Sequence, residues 1–164
     1  SHFHAPQQNW PDYRNFDTTA PSTEPICSIA WCHGAPGIGM SRLRMLELSG
    51  DTNFMQGTTA AIETTLQNLS ITAMGNYSLC HGVFGNAELL LYAAEILHRQ
   101  ELVEAVYAAA DDCIINYLNK GIPIPIGIQG GNETPDFMLG SSGIGYFFLR
   151  LAFGNRVPRV LVMQ

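Results

Sequence analysis

Three times along the chain a Gly-x-x-Gly turn opens into an apolar run: Gly34-Ala35-Pro36-Gly37, Gly82-Val83-Phe84-Gly85 and Gly140-Ser141-Ser142-Gly143. The leading glycines stand 48 and 58 residues apart. A period of that size marks a repeated helical hairpin, which buries its apolar face only by stacking on its neighbours. Few folds satisfy such a pattern. Because the turn recurs, it reads as a packing device and not as a phosphate cradle.

The helices of each unit differ in kind. After Gly85 the run from Ala87 to Leu97, with Leu89, Leu90, Leu91 and Ile96, is apolar nearly all round, as in an inner helix covered on every side. From about Glu101 to Leu118 the pattern changes. Leu102, Val106, Ala109, Cys113 and Tyr117 share one stripe, while Glu104, Asp111, Asp112 and Asn116 take much of the opposite face, and Gly121 supplies a stop. This is an outer helix. Met40, Leu43 and Leu46 predict a first inner helix, and Ile62, Leu66 and Leu69 its outer partner. A third inner helix is expected over residues 144–153, interrupted by Arg150. The expected class is therefore all-α: a partial α/α toroid with the turns that precede its inner helices gathered at one end. Only 13% of residues are charged, about half the usual share of roughly 25%, which suits helices covered on several sides.

The remaining segments are read as connections. Residues 1–25 carry Pro6, Pro11, Pro21 and Pro25 among polar residues and are expected to form an irregular loop or tail, with the toroid portion spanning 26–164. His2 and His4 in that segment are expected to be solvated. Pro123 and Pro125 make 121–127 a long loop, with at most an edge strand, and Arg156 to Gln164 read as a terminal tail.

Two of the three turns carry soft metal ligands. Trp31-Cys32-His33-Gly34 and Leu79-Cys80-His81-Gly82 set cysteine and histidine beside a glycine that permits an irregular backbone. Successive residues on a helix diverge by about 100°, so Cys80 and His81 reach one ion only from a turn. Cys32, Cys80 and His81 would give a zinc ion three ligands and leave a fourth position open, as in catalytic sites. Two thiolates and a neutral imidazole make such a centre electrically neutral and weakly Lewis-acidic, which favours binding a substrate thiol as a reactive thiolate. His33 is the candidate general acid. The alternatives are two buried core cysteines with a hydrogen-bonded histidine, and for His33 a structural role. Cys27 is read as a loop thiol and Cys113 as a small core residue.

A net charge of -6 with eight scattered Lys and Arg excludes a nucleic-acid surface. No apolar run has membrane-spanning length and no export signal is visible, so the expected compartment is cytoplasmic.

Residues 31–39, Trp-Cys-His-Gly-Ala-Pro-Gly-Ile-Gly, resemble the C-terminal cyclase domain of class II lanthipeptide synthetases, the LanM type related to LanC cyclases. Leu79 to Gly82 with Gly85-Asn86 and Glu88-Leu89-Leu90 match the next block, Glu133-Thr134-Pro135, Met138 and Gly143 to Tyr146 the last, and Arg156-Val157-Pro158 the usual ending. The resemblance covers about residues 26–164. It implies a toroid of seven helical hairpins, zinc on Cys32, Cys80 and His81, and His33 among the active-site residues. It also implies the reaction. A cysteine of a precursor peptide, activated on zinc, adds to a dehydrated serine or threonine (dehydroalanine or dehydrobutyrine) and closes a lanthionine thioether ring. Three departures stand out. About three inner helices are present, an upstream histidine implicated in acid–base work has no visible counterpart, and Ser28 stands where some relatives carry arginine. They motivate an alternative reading as a catalytically incomplete zinc- and peptide-binding module, and an expectation of self-association or of a partner supplying the missing toroid half. A metal-free helical interaction protein is a third reading.

Overall fold

The computed structural model describes residues 3–13, 25–130 and 133–162. They form six α-helices: α1 (Ala35–Ser49), α2 (Met55–Gln67), α3 (Ile71–Met74), α4 (Val83–Leu97), α5 (Gln100–Asn116) and α6 (Ser141–Phe153). One small antiparallel hairpin, β1 (Ile29–Ala30) and β2 (His33–Gly34), pairs Ile29 with Gly34 and Ala30 with His33. The class is all-α. Inner helix α4 packs between α1 and α6, while α2 lies against α1 and α4, and α5 against α4. The result is an arc of three inner helices backed by two outer ones.

The glycine turns have one physical cause in all three repeats. A Cβ on Gly34 would stand 1.8 Å from the Ser28 carbonyl oxygen, and one on Gly37 2.0 Å from that of Trp31. The corresponding pairs are Gly82 with Asn76 and Gly85 with Leu79, then Gly140 with Thr134 and Gly143 with Phe137. Each glycine thus faces the carbonyl six residues before it. The chain doubles back so tightly before each inner helix that no side chain fits.

Packing follows the patterns already described. Eleven residues of α4, including Asn86 and Glu88, are buried, and only Glu95, near its end, is exposed. Phe84 of α4 stacks on Phe147 of α6 with ring centroids 4.1 Å apart. Gly39 lets α1 approach Ala61 of α2 and Leu89 of α4, either of which would clash with a Cβ. The α5 stripe buries Leu102, Val106, Ala109 and Cys113. The helix stops at Asn116, short of the expected end, and Gly121, at φ +61°, instead ends the single 3₁₀ turn Leu118–Lys120 that follows.

Several expectations are corrected. α2 ends at Gln67, leaving Leu69 outside it, and the chain then makes the single turn α3, capped by Ser70. α6 starts at Ser141 and runs unbroken through Arg150, which is only 4% exposed. Arg150 places Nε 3.5 Å from Oε1 of Glu88 and donates from its guanidinium to the carbonyls of Gly154 and Val157. A buried charge is tolerable inside a helix when it is paired in this way.

Residues 121–127 form no strand. Instead the Tyr77 N–H donates to the Pro125 carbonyl and the Gly127 N–H to that of Leu139, so this loop ties the second repeat to the third. Trp10 is buried in the core beneath Arg42, and Asn9 Nδ2 donates to the Ser28 carbonyl. His4, expected to be solvated, is half-buried and pairs with Asn9 through its backbone. His2 lies outside the described residues. The segment read as a terminal tail also packs. Arg159 is buried, lies over the Tyr92 ring and pairs with Glu95, and the Leu161 carbonyl accepts from Trp31 Nε1. Residues 157–162 therefore return from α6 across α4 to the start of the first repeat, as a strap. Among the described residues no helix is long and apolar enough to cross a membrane.

Candidate metal centre

Trp31 and Cys32 are the two turn residues of the β1–β2 hairpin, which leads straight into α1. Cys80 and His81 occupy the turn before α4. The same backbone contact joins successive repeats: the Cys32 N–H donates to the Cys80 carbonyl (3.1 Å), and the Cys80 N–H to the Met138 carbonyl (2.9 Å). Residues 32, 80 and 138 are thus equivalent positions held side by side. The repeat itself brings the two cysteines together.

One ligand atom from each of Cys32, Cys80 and His81 lies within 4.8 Å of the other two. Among the described residues this is the one group of three or more His, Cys, Asp or Glu so arranged. Tetrahedral zinc with sulfur ligands places them about 3.8 Å apart, as follows from Zn–S bonds near 2.3 Å. A cluster held within 4.8 Å is of the size such a site needs, and Cys32 is its exposed member. His81 Nε2 lies 3.0 Å from the Gly127 carbonyl oxygen, which can only accept a hydrogen bond. The proton therefore sits on Nε2, leaving Nδ1 to ligate, and the carbonyl fixes the ring as the outer partners of metal-bound histidines do. Burial pushes the Cys80 thiol up to about 12, assisted by its hydrogen bond to the Cys32 sulfur and by the charges of Cys32 and Asp136. Two thiols sharing a proton at short range, with an imidazole nitrogen beside them, are a donor set suited to zinc.

His33 does not join this cluster. Its Nε2 lies 2.7 Å from Oδ1 of Asp12, whose side chain is wholly buried. Asp12 also donates its backbone N–H to the Ile26 carbonyl at 2.7 Å. The pair binds the N-terminal segment to the hairpin that carries Cys32. Cys27 stays in a loop and Cys113 in the core of α5, both as read from their neighbours.

Two clefts flank the hairpin. One, of about 520 Å³, is lined by Trp31, Cys32, His33, Ile38, Met45 and the strap residues Leu161 and Val162. The other, of about 400 Å³, lies between Ser28–Ala30, Ala73, Met74 and the trio Cys32, His33 and His81. Sequence reasoning missed Asp12, the Gly127 carbonyl and the strap. Only the Arg156-Val157-Pro158 block hinted at the last of these, and nothing in the spacing links Asp12 to His33.

The comparison with protein families agrees with this architecture over nearly the whole chain. The model of the family described as lanthionine synthetase C-like protein matches residues 1–162. The match takes in the N-terminal segment with Asp12 as well as all three glycine turns. The chain belongs to the lanthionine synthetase C-like family.

Proposed function

We propose that the chain is the zinc-binding portion of a lanthionine cyclase of the class II, LanM type, acting on a precursor peptide with dehydrated serine or threonine and a free cysteine. The observation that supports it is the meeting of Cys32, from one repeat, with Cys80 and His81, from the next, within 4.8 Å. Zinc bound there would lower the pKa of a peptide cysteine and hold it as a thiolate that remains nucleophilic beside two other thiolates.

The protein's own groups complete the reaction. The cross-repeat hydrogen bonds at residues 32, 80 and 138 set the spacing of the two cysteine ligands, and the Gly127 carbonyl sets the ring of His81. The peptide sulfur forms a bond to the β-carbon of the dehydro residue, and the electron pair of the double bond moves onto the α-carbon and its carbonyl as an enolate. His33, with Nε2 anchored on Asp12, gives the enolate α-carbon its proton from Nδ1. The two clefts beside the hairpin offer routes for the peptide on either side of Cys32.

The test has two arms. Metal analysis of the purified protein should find close to one zinc per chain, largely lost in Cys80→Ala; native protein without zinc rules the reading out. Incubation with dehydrated precursor peptide should close thioether rings faster than the uncatalysed background. Zinc binding without that acceleration would instead identify the incomplete binding module.

A further inference from the structure

The cleft of about 520 Å³ at Cys32 is apolar on most of its walls: Trp31 and Ile38 on one side, Met45 on α1, and Leu161 with Val162 from the strap. Its charged lining group, Arg44, is paired with Glu47 on the same helix. Glu47 in turn accepts from the Tyr92 hydroxyl, and Arg159 of the strap lies over the Tyr92 ring. The strap is held at its far end as well, where Tyr146 donates its hydroxyl to the Pro158 carbonyl and accepts from the Val160 N–H. Near the cleft, Trp31 Nε1 donates to the Leu161 carbonyl. Leu161 and Val162 are therefore fixed as a wall by contacts with α1, α4 and α6, and that wall faces a residue bearing a candidate ligand.

We infer that this cleft is a specificity subsite, taking an apolar side chain next to the reacting cysteine of the peptide substrate. Continuity with the metal centre supports this occupant. Cys32 and His33 form part of the cleft lining, so a chain whose sulfur reaches Cys32 lays its neighbouring residue against Trp31, Met45 and Leu161. At about 520 Å³ the cleft is the size of a small-ligand pocket, with room for an apolar side chain and the peptide around it. With Arg44 already balanced by Glu47, an acidic neighbour finds no unmatched positive charge there. The strap thus contributes to substrate choice without contributing a ligand.

The inference rests on the cyclase reading for the identity of the substrate, and the test separates the two. Dissociation constants are measured by calorimetry for hexapeptides in which one cysteine is flanked by leucines or by serines, using zinc-loaded protein. A second pair replaces the cysteine by serine and is measured on chelator-treated protein. The leucine-flanked peptide should bind at least tenfold tighter in the first pair, about 1.4 kcal/mol, and a preference of the same sign should persist in the second. Met45→Ser, at an exposed position, and Leu161→Ser should each reduce the preference below threefold.

Equal binding of leucine- and serine-flanked peptides overturns the inference, as does a preference that both variants leave intact. Failure of zinc binding with the leucine preference retained in the second pair counts against the metal reading alone. A mass in solution that falls from dimer to monomer in Met45→Ser would assign the cleft to contact between copies and overturn the subsite.

Discussion

At the scale of single residues the zinc reading makes a pH prediction. Cys80 holds its proton to about 12 through burial and its contact with Cys32, whereas a metal takes it as thiolate. Binding must therefore expel protons at neutral pH. Affinity should rise with pH and fall on acidification, by about tenfold per pH unit for each proton released. Competition with a chromophoric chelator between pH 6 and 8 measures the slope, and a flat profile would contradict thiol ligation. His33→Asn should retain zinc yet slow ring closure by about 10²-fold or more, the range for loss of a general acid. Asp12→Asn keeps an oxygen to accept from His33 and should slow it less than Asp12→Ala. Cys32, Cys80 and His81 were legible as candidates because their residue types and glycine neighbours are informative on their own. Asp12 was not, because its partner lies 21 positions away across sequence with no periodic pattern.

At the scale of elements, the inner and outer helices were readable from periodicity because burial of a stripe, or of a whole perimeter, leaves a direct trace in residue order. Their ends were less so. α6 begins three residues before its apolar run, since Ser141 and Ser142 enter helix immediately after Gly140, the sharp turn being made by the backbone. Arg150 looked like an interruption because a charge on an apolar face is read as a break, whereas here Glu88 meets it inside the protein. Two glycines of one helix give a controlled test. A Cβ on Gly143 would stand 1.9 Å from the Phe137 carbonyl oxygen, while one on Gly145 meets nothing within 4 Å. Gly143→Ala should destabilise by more than about 2 kcal/mol. Gly145→Ala should stabilise by about 0.5–1 kcal/mol through helix propensity. Urea denaturation of the two variants decides between this account and a general intolerance of change in α6.

At the scale of the whole molecule, the strap and the N-terminal segment close what the helices leave open. The N-terminal segment was read as a loop or tail and the strap as a tail because aperiodic sequence shows no face to bury, yet Trp10 and Arg159 each end up inside. Arg150 stands where the strap, α6 and α4 converge. Arg150→Ala should lower stability by about 3–5 kcal/mol, since it leaves Glu88 buried without its partner. Adding Glu88→Leu should recover much of the loss, as measured by thermal unfolding. Recovery would show that the penalty lies in the orphaned carboxylate and not in the detached strap.

The ladder through residues 32, 80 and 138 also bears on how a zinc ion held there would stay reactive. Its three rungs are equivalent by backbone, but their side chains break the symmetry: thiol, thiol, thioether. A third thiol in that series would offer the fourth ligand of a closed, purely structural site. Met138→Cys is therefore expected to hold zinc more tightly and to form rings more slowly. One methyl-capped sulfur would then be the difference between a reagent and a rivet.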